Sequence, residues 1–395
     1  MNFKFSDEQQ QLRDTLQRFI RKDYSFEKRR EIIRSPEGIS RAVWKQLADM
    51  GVLALTLPET YGGLGGNAVD TLVVVEEFGR GMVVEPYLST VVIGAELIAR
   101  AGSGQQRTEL LPKVAAGELL LAFAHYEPNI RYELNHVATQ AKNDKDGYLL
   151  SGAKTMVLHG AAADLLIVSA RTAGKARDAG GISLFLVDPK ARGVVLQRYP
   201  TQDGQQAAEL QLDKVHVGKD ALLGQAGHAL PLIEHATDSA IAALCAEAVG
   251  NMAALIETTL VYVKTRKQFG VPIGAFQALQ HRMADMLMLG EQARSMAYLA
   301  AAKLDVEDVS ERRRALAAAK ALVGQTARFI GQQAVQLHGG IGMTDELAVS
   351  HYFKRLTMIN ASFGDADHHL ARFSDMILAE QTAAQSKRSP QLKRA

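Results

Sequence analysis

The chain doubles back within YVKTRKQFGVPIGAFQALQHRMADM, residues 262–286. Upstream, a helical pattern runs from near Pro231 to Lys267, with apolar residues at the spacing of one helix face. Phe269–Gly270–Val271–Pro272 then breaks it, because glycine accepts turn backbone and proline lacks the N–H that a helix interior needs. Helical spacing resumes after Pro272 and continues to about Leu304. A third pattern spans roughly Ser310 to Leu337 and stops at Gly339–Gly340. A fourth lies between Asp345 and Asn360, and a fifth follows Gly364. Three long helices with short connections predict a C-terminal four-helix bundle over 231–385. The basic segment 386–395 then reads as a frayed tail.

Residues 119–230 lose the helical period. VATQA, GYLLSG, DLLIVSA, GISLFLVD, GVVLQRY and AELQLDKV are short, β-branched and bounded by turn residues, and NDKDG between the first two signals a hairpin. Strands without intervening helices predict a small antiparallel barrel or sandwich. Over 1–118 helical spacing returns. Leu12, Leu16, Phe19 and Ile20 share one face, and Val43, Leu47 and Met50 another. Ser6 and Asp70 are helix-cap candidates, LPETYGGLGGN (57–67) is a Gly-rich loop, and VVIGAELIARAG reads as helix. The expected class is a multidomain α+β protein: N-terminal helical domain, central antiparallel β-barrel or sandwich, C-terminal helical bundle.

The 395 residues are 47% hydrophobic and 22% charged, which excludes a disordered chain, a collagen-like fibre or a disulfide scaffold. The single cysteine, Cys245, permits neither an intrachain disulfide nor a CxxC metal site, and a reducing, cytoplasmic compartment is expected. It lies on an Ala/Leu-rich helix face and reads as a small core residue. With 45 basic and 43 acidic residues, nothing points to nucleic acid or a membrane surface. No apolar run reads as the ~20 residues of a membrane span, and the N-terminus has no signal-peptide pattern. No metal site is expected. Asp365, Asp367, His368 and His369 are ligand types, but neighbours on a helix diverge by about 100°.

Two blocks carry a family resemblance. YVKTRKQFGVPIGAFQALQHRMADM matches the pattern Tyr, Arg–x–x–Phe–Gly, Pro–Ile, Phe–Gln, and QLHGGIGMTDE (336–346) matches Gln–x–x–Gly–Gly–x–Gly. Together with PETYGGLGG and EEFGR in order, they resemble the acyl-CoA dehydrogenase family along essentially the whole chain. AFAHYEP, RYELNHVAT and HYFKRLTMINASFGDADHHLARF look, more narrowly, like the pimeloyl-CoA dehydrogenase small-subunit branch. The resemblance implies FAD as cofactor, an acyl-CoA substrate, electron-transfer flavoprotein as acceptor, and an oligomer in which each subunit reaches a neighbour's FAD. It assigns FAD contacts to Arg266, Phe269, Gln277, Gln336, Gly339, Gly340 and Gly364. The residue types suit that task. A guanidinium fork matches phosphate oxygens, carboxamides pair with nucleotide edges, and glycines let backbone N–H groups come close.

Other family positions are altered. Where the family has Trp–Ile–Thr against the flavin, this chain has Met156–Val157–Leu158, and Leu158 offers no donor. The family's glutamate base falls on Phe363, followed by Gly364 and Asp365. Its alternate place, on the first bundle helix, falls on Ala240 and Ile241. Asp365 is a weak substitute that reads first as a helix cap, and Asp238 reads as a solvated or capping carboxylate. Three readings remain: an accessory subunit of a heteromeric acyl-CoA dehydrogenase, an active homo-oligomer with a base other than glutamate, or an interaction subunit without FAD.

Overall fold

Ser6 accepts a hydrogen bond from the N–H of Gln9, and the Gln9 side chain accepts one from Ser6 N–H, a capping box that opens helix α1 (Asp7–Asp23). Five more helices follow in the N-terminal part: α2 (Phe26–Arg34), α3 (Arg41–Asp49), α4 (Ala68–Gly81), α5 (Glu96–Ala101) and α6 (Gly104–Ala115). The computed structural model describes residues 5–388. Residues 389–395, most of the expected tail, lie outside the described residues. The fold has two units, parting between residues 243 and 244.

The cap of α4 is Asn67, whose side chain accepts from Val69 and Asp70; Asp70 returns the bond to Asn67 as the third helical residue. Asp70 is therefore half of a capping box and not the cap itself. Both acids of EEFGR are buried. Arg13 Nε lies 3.0 Å from Glu77 Oε1, and Gln17 donates to the same oxygen, tying α1 to α4. The segment VVIGAELIARAG begins in a π-helical stretch, Leu88–Ala95, before α5.

The central domain is one eight-stranded sheet: β1 (Leu121–Ala124), β2 (Gln140–Asp144), β3 (Gly147–Leu158), β4 (Leu165–Arg171), β5 (Ile182–Val187), β6 (Val194–Pro200), β7 (Gln206–Gly218) and β8 (Leu222–Leu223). The order is β6-β7-β3-β2-β4-β5-β8, with β1 beside β4. Pairing is mostly antiparallel; β1 runs parallel to β4, and β2 meets β4 in parallel at Gln140 and Arg171. The expected hairpin closes with Asp144 opposite Gly147. Phe185 and Val187 from one side of the order share a core with Leu210 and Leu212 from the other, so the sheet wraps its own interior.

A polar knot sits in that interior. The fully buried Lys154 ammonium donates to Glu127 Oε1 at 2.8 Å, Ser169 Oγ at 2.9 Å and the His125 carbonyl at 3.2 Å. Glu127 also accepts from the N–H groups of Ala138 and Thr139. Burial works to raise the Glu127 carboxyl, but Lys154 and the Thr139 bonds hold it below its ordinary value. Burial pushes Lys154 down to about 8 against the pull of Glu127. Glu127→Ala should lower the unfolding free energy by about 3–5 kcal/mol in urea titration of the full chain, because the ammonium is left buried and unpaired. A midpoint equal to wild type would contradict this.

The C-terminal unit takes in the later part of α7 (Leu230–Thr265), the hairpin β9 (Lys267–Gln268) and β10 (Val271–Pro272), α8 (Gln277–Lys303), α9 (Val309–His338), α10 (Ala348–Ala361) and α11 (Ala366–Arg388). Helix α9 packs on α8, α10 and α11. By length and composition α7 passes for a membrane span, with a window of mean hydropathy 1.6, contrary to the sequence expectation. In that window 83% is buried, as in a bundle's core helix. A bidentate pair, Glu247 with Arg355 at 2.5 and 2.7 Å, joins α7 to α10.

Candidate functional site

The break in the quoted stretch is a two-residue hairpin loop. Gln268 pairs with Val271, and the loop residues Phe269 and Gly270 both have positive φ, 53° and 82°. Two left-handed residues suit the right-handed twist of a hairpin. The loop presents Phe269 92% exposed, its ring edge-to-face with Phe276 at 6.1 Å.

The other candidates gather at the same end of the unit. Tyr262, one turn before Arg266, stacks on His338 with ring centroids 4.3 Å apart and donates to the His338 carbonyl. Gly339 and Gly340 follow at once. Arg282 of α8 donates to Gln333 of α9, drawing the start of α8, where Gln277 stands, to the end carrying Gln336. Arg266, Gln277, Gln336, Gly339 and Gly340 are all exposed. Among the described residues the Arg266 guanidinium has no hydrogen-bond or ion-pair partner. Gly339 has φ 64° and ψ −146°, close to a region reserved for glycine. A Cβ on Gly339 or Gly340 would meet nothing within 4 Å. An incoming phosphate-bearing group finds a free guanidinium, two carboxamides and bare backbone. These residue types suit the phosphate-bearing half of the FAD that the resemblance implies.

Gly364 is not part of that group; it belongs to the turn between α10 and α11. Phe363 there has φ 54° and Gly364 φ 105°. A Cβ on Gly364 would lie 2.5 Å from His369 Nε2, so the turn itself demands glycine. Asp365 caps α11, its Oδ1 accepting from His368 N–H at 2.9 Å. Phe363 has no titrating group. Ala240 and Ile241 are buried apolar residues of α7. Asp238 is also buried inside α7, 5% exposed, which corrects the expectation of a solvated or capping carboxylate.

At the β3 positions that the resemblance sets against a flavin, Met156–Val157–Leu158, no side chain carries a hydroxyl. A register shift between Lys154 and Val157 leaves Met156 in a left-handed conformation, φ 53°. Its sulfur lies 3.1 Å from Tyr199 Oη. The nearby hydroxyls of Thr155 and Tyr199 both donate to Glu209. Leu158 contributes only hydrocarbon.

Cys245 is fully buried and its thiol is pushed up to about 12 by burial, so it is no nucleophile. Among the described residues no three His, Cys, Asp or Glu side chains converge as metal ligands. The sequence reading missed Lys320, whose ammonium donates to the carbonyls of Ile359, Asn360 and Gly364 around Phe363. A lysine in the alanine-rich run ALAAAKALV was the available signal.

The acyl-CoA dehydrogenase N-terminal, middle and C-terminal domain families match residues 6–118, 122–215 and 231–377. The probable acyl-CoA dehydrogenase YngJ of Bacillus subtilis (strain 168) is 29% identical over 373 residues, covering 93% of this chain and 97% of its own. A chain of the Tcur3481–Tcur3483 steroid ACAD is 30% identical with a TM-score of 0.85, covering 95% of this chain and 99% of its own. A chain in the structure of the electron transferring flavoprotein of Acidaminococcus fermentans is 26% identical with a TM-score of 0.87, covering 96% and 100%.

Proposed function

Since the chain belongs to the acyl-CoA dehydrogenase family of flavoprotein oxidoreductases, we propose that it serves α,β-dehydrogenation of acyl-CoA thioesters as the accessory subunit of a heteromeric enzyme. It grips a homologous partner's FAD and supplies no base. One contrast carries the reading: the nucleotide-gripping end is intact and open, while the base position holds Phe363 and the flavin edge holds Leu158.

FAD, when bound, accepts the substrate's β-hydride. This chain's residues bind and orient. Arg266 neutralises phosphate charge, Gln277 and Gln336 present amides to the nucleotide, and Gly339 and Gly340 offer backbone N–H groups. Phe269 and Phe276 bury against the partner and keep water from the contact. The α-proton goes to a carboxylate of the partner. The steroid ACAD among the similar structures, which carries the paired name Tcur3481–Tcur3483, supports a paired assembly, and the match within an electron transferring flavoprotein structure supports that class of acceptor. The resemblance to the pimeloyl-CoA dehydrogenase small subunit is of the same kind, and a reducing, cytoplasmic setting suits the single buried thiol.

An active homo-oligomer using Asp365 is disfavoured, because that carboxylate is engaged as the α11 cap. Co-purification with a homologous chain that carries glutamate before Gly–Thr, followed by flavin-to-protein stoichiometry, tests the proposal. The complex should be yellow with fewer flavins than chains, and this chain alone colourless. Full flavin occupancy and turnover by this chain alone would overturn it. A colourless complex would favour an interaction subunit without FAD.

A further inference from the structure

Phenylalanine is a poor residue for a left-handed backbone, which costs an L-residue about 1–2 kcal/mol. Strain of this kind persists only where the surroundings over-determine it. At Phe363 they do. Lys320, in the middle of α9, is 1% exposed. Its ammonium has three protons and three acceptors: the carbonyls of Ile359 at 2.9 Å, Asn360 at 3.0 Å and Gly364 at 2.7 Å. The first two belong to the last turn of α10, where the Ile359 carbonyl otherwise receives only a long 3.3 Å bond from Ser362 N–H. The third lies just before α11. One buried cation thus clamps both ends of the turn. From the other side, His369 Nε2 lies 2.9 Å from the Phe363 carbonyl and donates to it. Ala366 N–H donates to Asn360 Oδ1, closing the turn further.

We propose that Lys320 is a positioning residue. Through the carbonyls of Ile359, Asn360 and Gly364 it sets the turn that holds position 363, so that whatever side chain stands there points in one fixed direction. In this chain that side chain is a phenyl ring, and the clamp holds it as filler where a proton acceptor would otherwise stand. The inference rests on reading 363 as the family's base position; the clamp itself does not depend on a partner.

The clamp has a pH limit. Burial pushes the Lys320 ammonium down to about 8, with Cys245 and Asp365 pulling the other way. Two of the groups facing it are shifted well away from that range. Cys245 of α7 is pushed up to about 12. His369 of α11 is pushed down to about 3 by burial, despite its bond to Phe363, with Lys320, Arg372 and His368 adding to the effect. It stays neutral from mildly acid to alkaline pH, and its hydrogen bond to the Phe363 carbonyl persists. Asp365 remains the α11 cap. As pH rises through about 8 the native lysine loses its proton ahead of an unfolded one. The neutral amine has two donors for three carbonyls, and the turn loosens.

The test places 4-fluorophenylalanine at position 363 of the full chain and follows its fluorine resonance from pH 6.5 to 9.5. Wild type should give one sharp line at neutral pH and a second population growing with a midpoint near 8. Lys320→Met should show the second population at every pH, with no midpoint, while Lys320→Arg restores the single line in part. A wild-type line unchanged across the range overturns the proposal without any variant, so a misfolded Lys320→Met leaves it testable. A single line in a folded Lys320→Met chain overturns it as well. Flavin stoichiometry in the complex reports separately on the accessory-subunit reading.

Discussion

Arg266→Ala is expected to empty the complex of flavin. A charge-assisted hydrogen bond contributes about 1.5–3 kcal/mol, so its loss should weaken retention roughly ten- to a hundredfold. Bound FAD measured after gel filtration of the complex reads this directly, with denatured wild type as the reference for total flavin. Arg266→Lys should recover part of the retention, since an ammonium keeps the charge and loses the bidentate fork. The exposed guanidinium has no partner among the described residues, so neither change disturbs an internal contact. An Arg266→Ala complex that keeps its full flavin would show that this end of the unit grips something else.

The second large effect is a rate that should be missing. Loss of a positioned base typically costs ~10²–10⁴ in rate. The purified chain, supplied with FAD, an acyl-CoA and an artificial electron acceptor, should therefore turn over at least ~10²-fold more slowly than the complex. Asp365→Asn should leave the rate of the complex unchanged, because asparagine also serves as an N-cap. A large fall in that variant, with a titration limb in its pH profile, would assign the base to Asp365 and remove the need for a partner.

Long periodic helices could be read from residues alone. The pattern near Pro231 became α7, and the run from Ser310 to Leu337 became α9 within a residue at each end. Each announces itself through apolar spacing and a breaker such as Pro272 or Gly339. Short elements did not. Helix α2 buries only Arg29 and Ile32, too few to mark a period. The stretch Leu88–Ala95 is apolar on nearly every side, so its π geometry leaves no periodic trace. The two-residue strand β8 depends on neighbours that sequence cannot show. At the site, motif residues were readable because their chemistry is local to two blocks. Lys320 was not, because its role comes from carbonyls some forty positions away. Glu247 likewise finds Arg355 only through packing. Asp238 was misjudged because a carboxylate inside a long apolar helix looks solvated until the surrounding burial is seen.

The bare ring at the β9–β10 tip bears on how a cell must handle this polypeptide. Phe269 is presented to solvent at 92% of its area. A surplus copy, made without anything to cover that ring, would be an adhesive object in a crowded fluid, prone to chaperone capture and clearance. Prompt pairing after synthesis, with a second copy or with a homologous chain, is the arrangement such a tip favours.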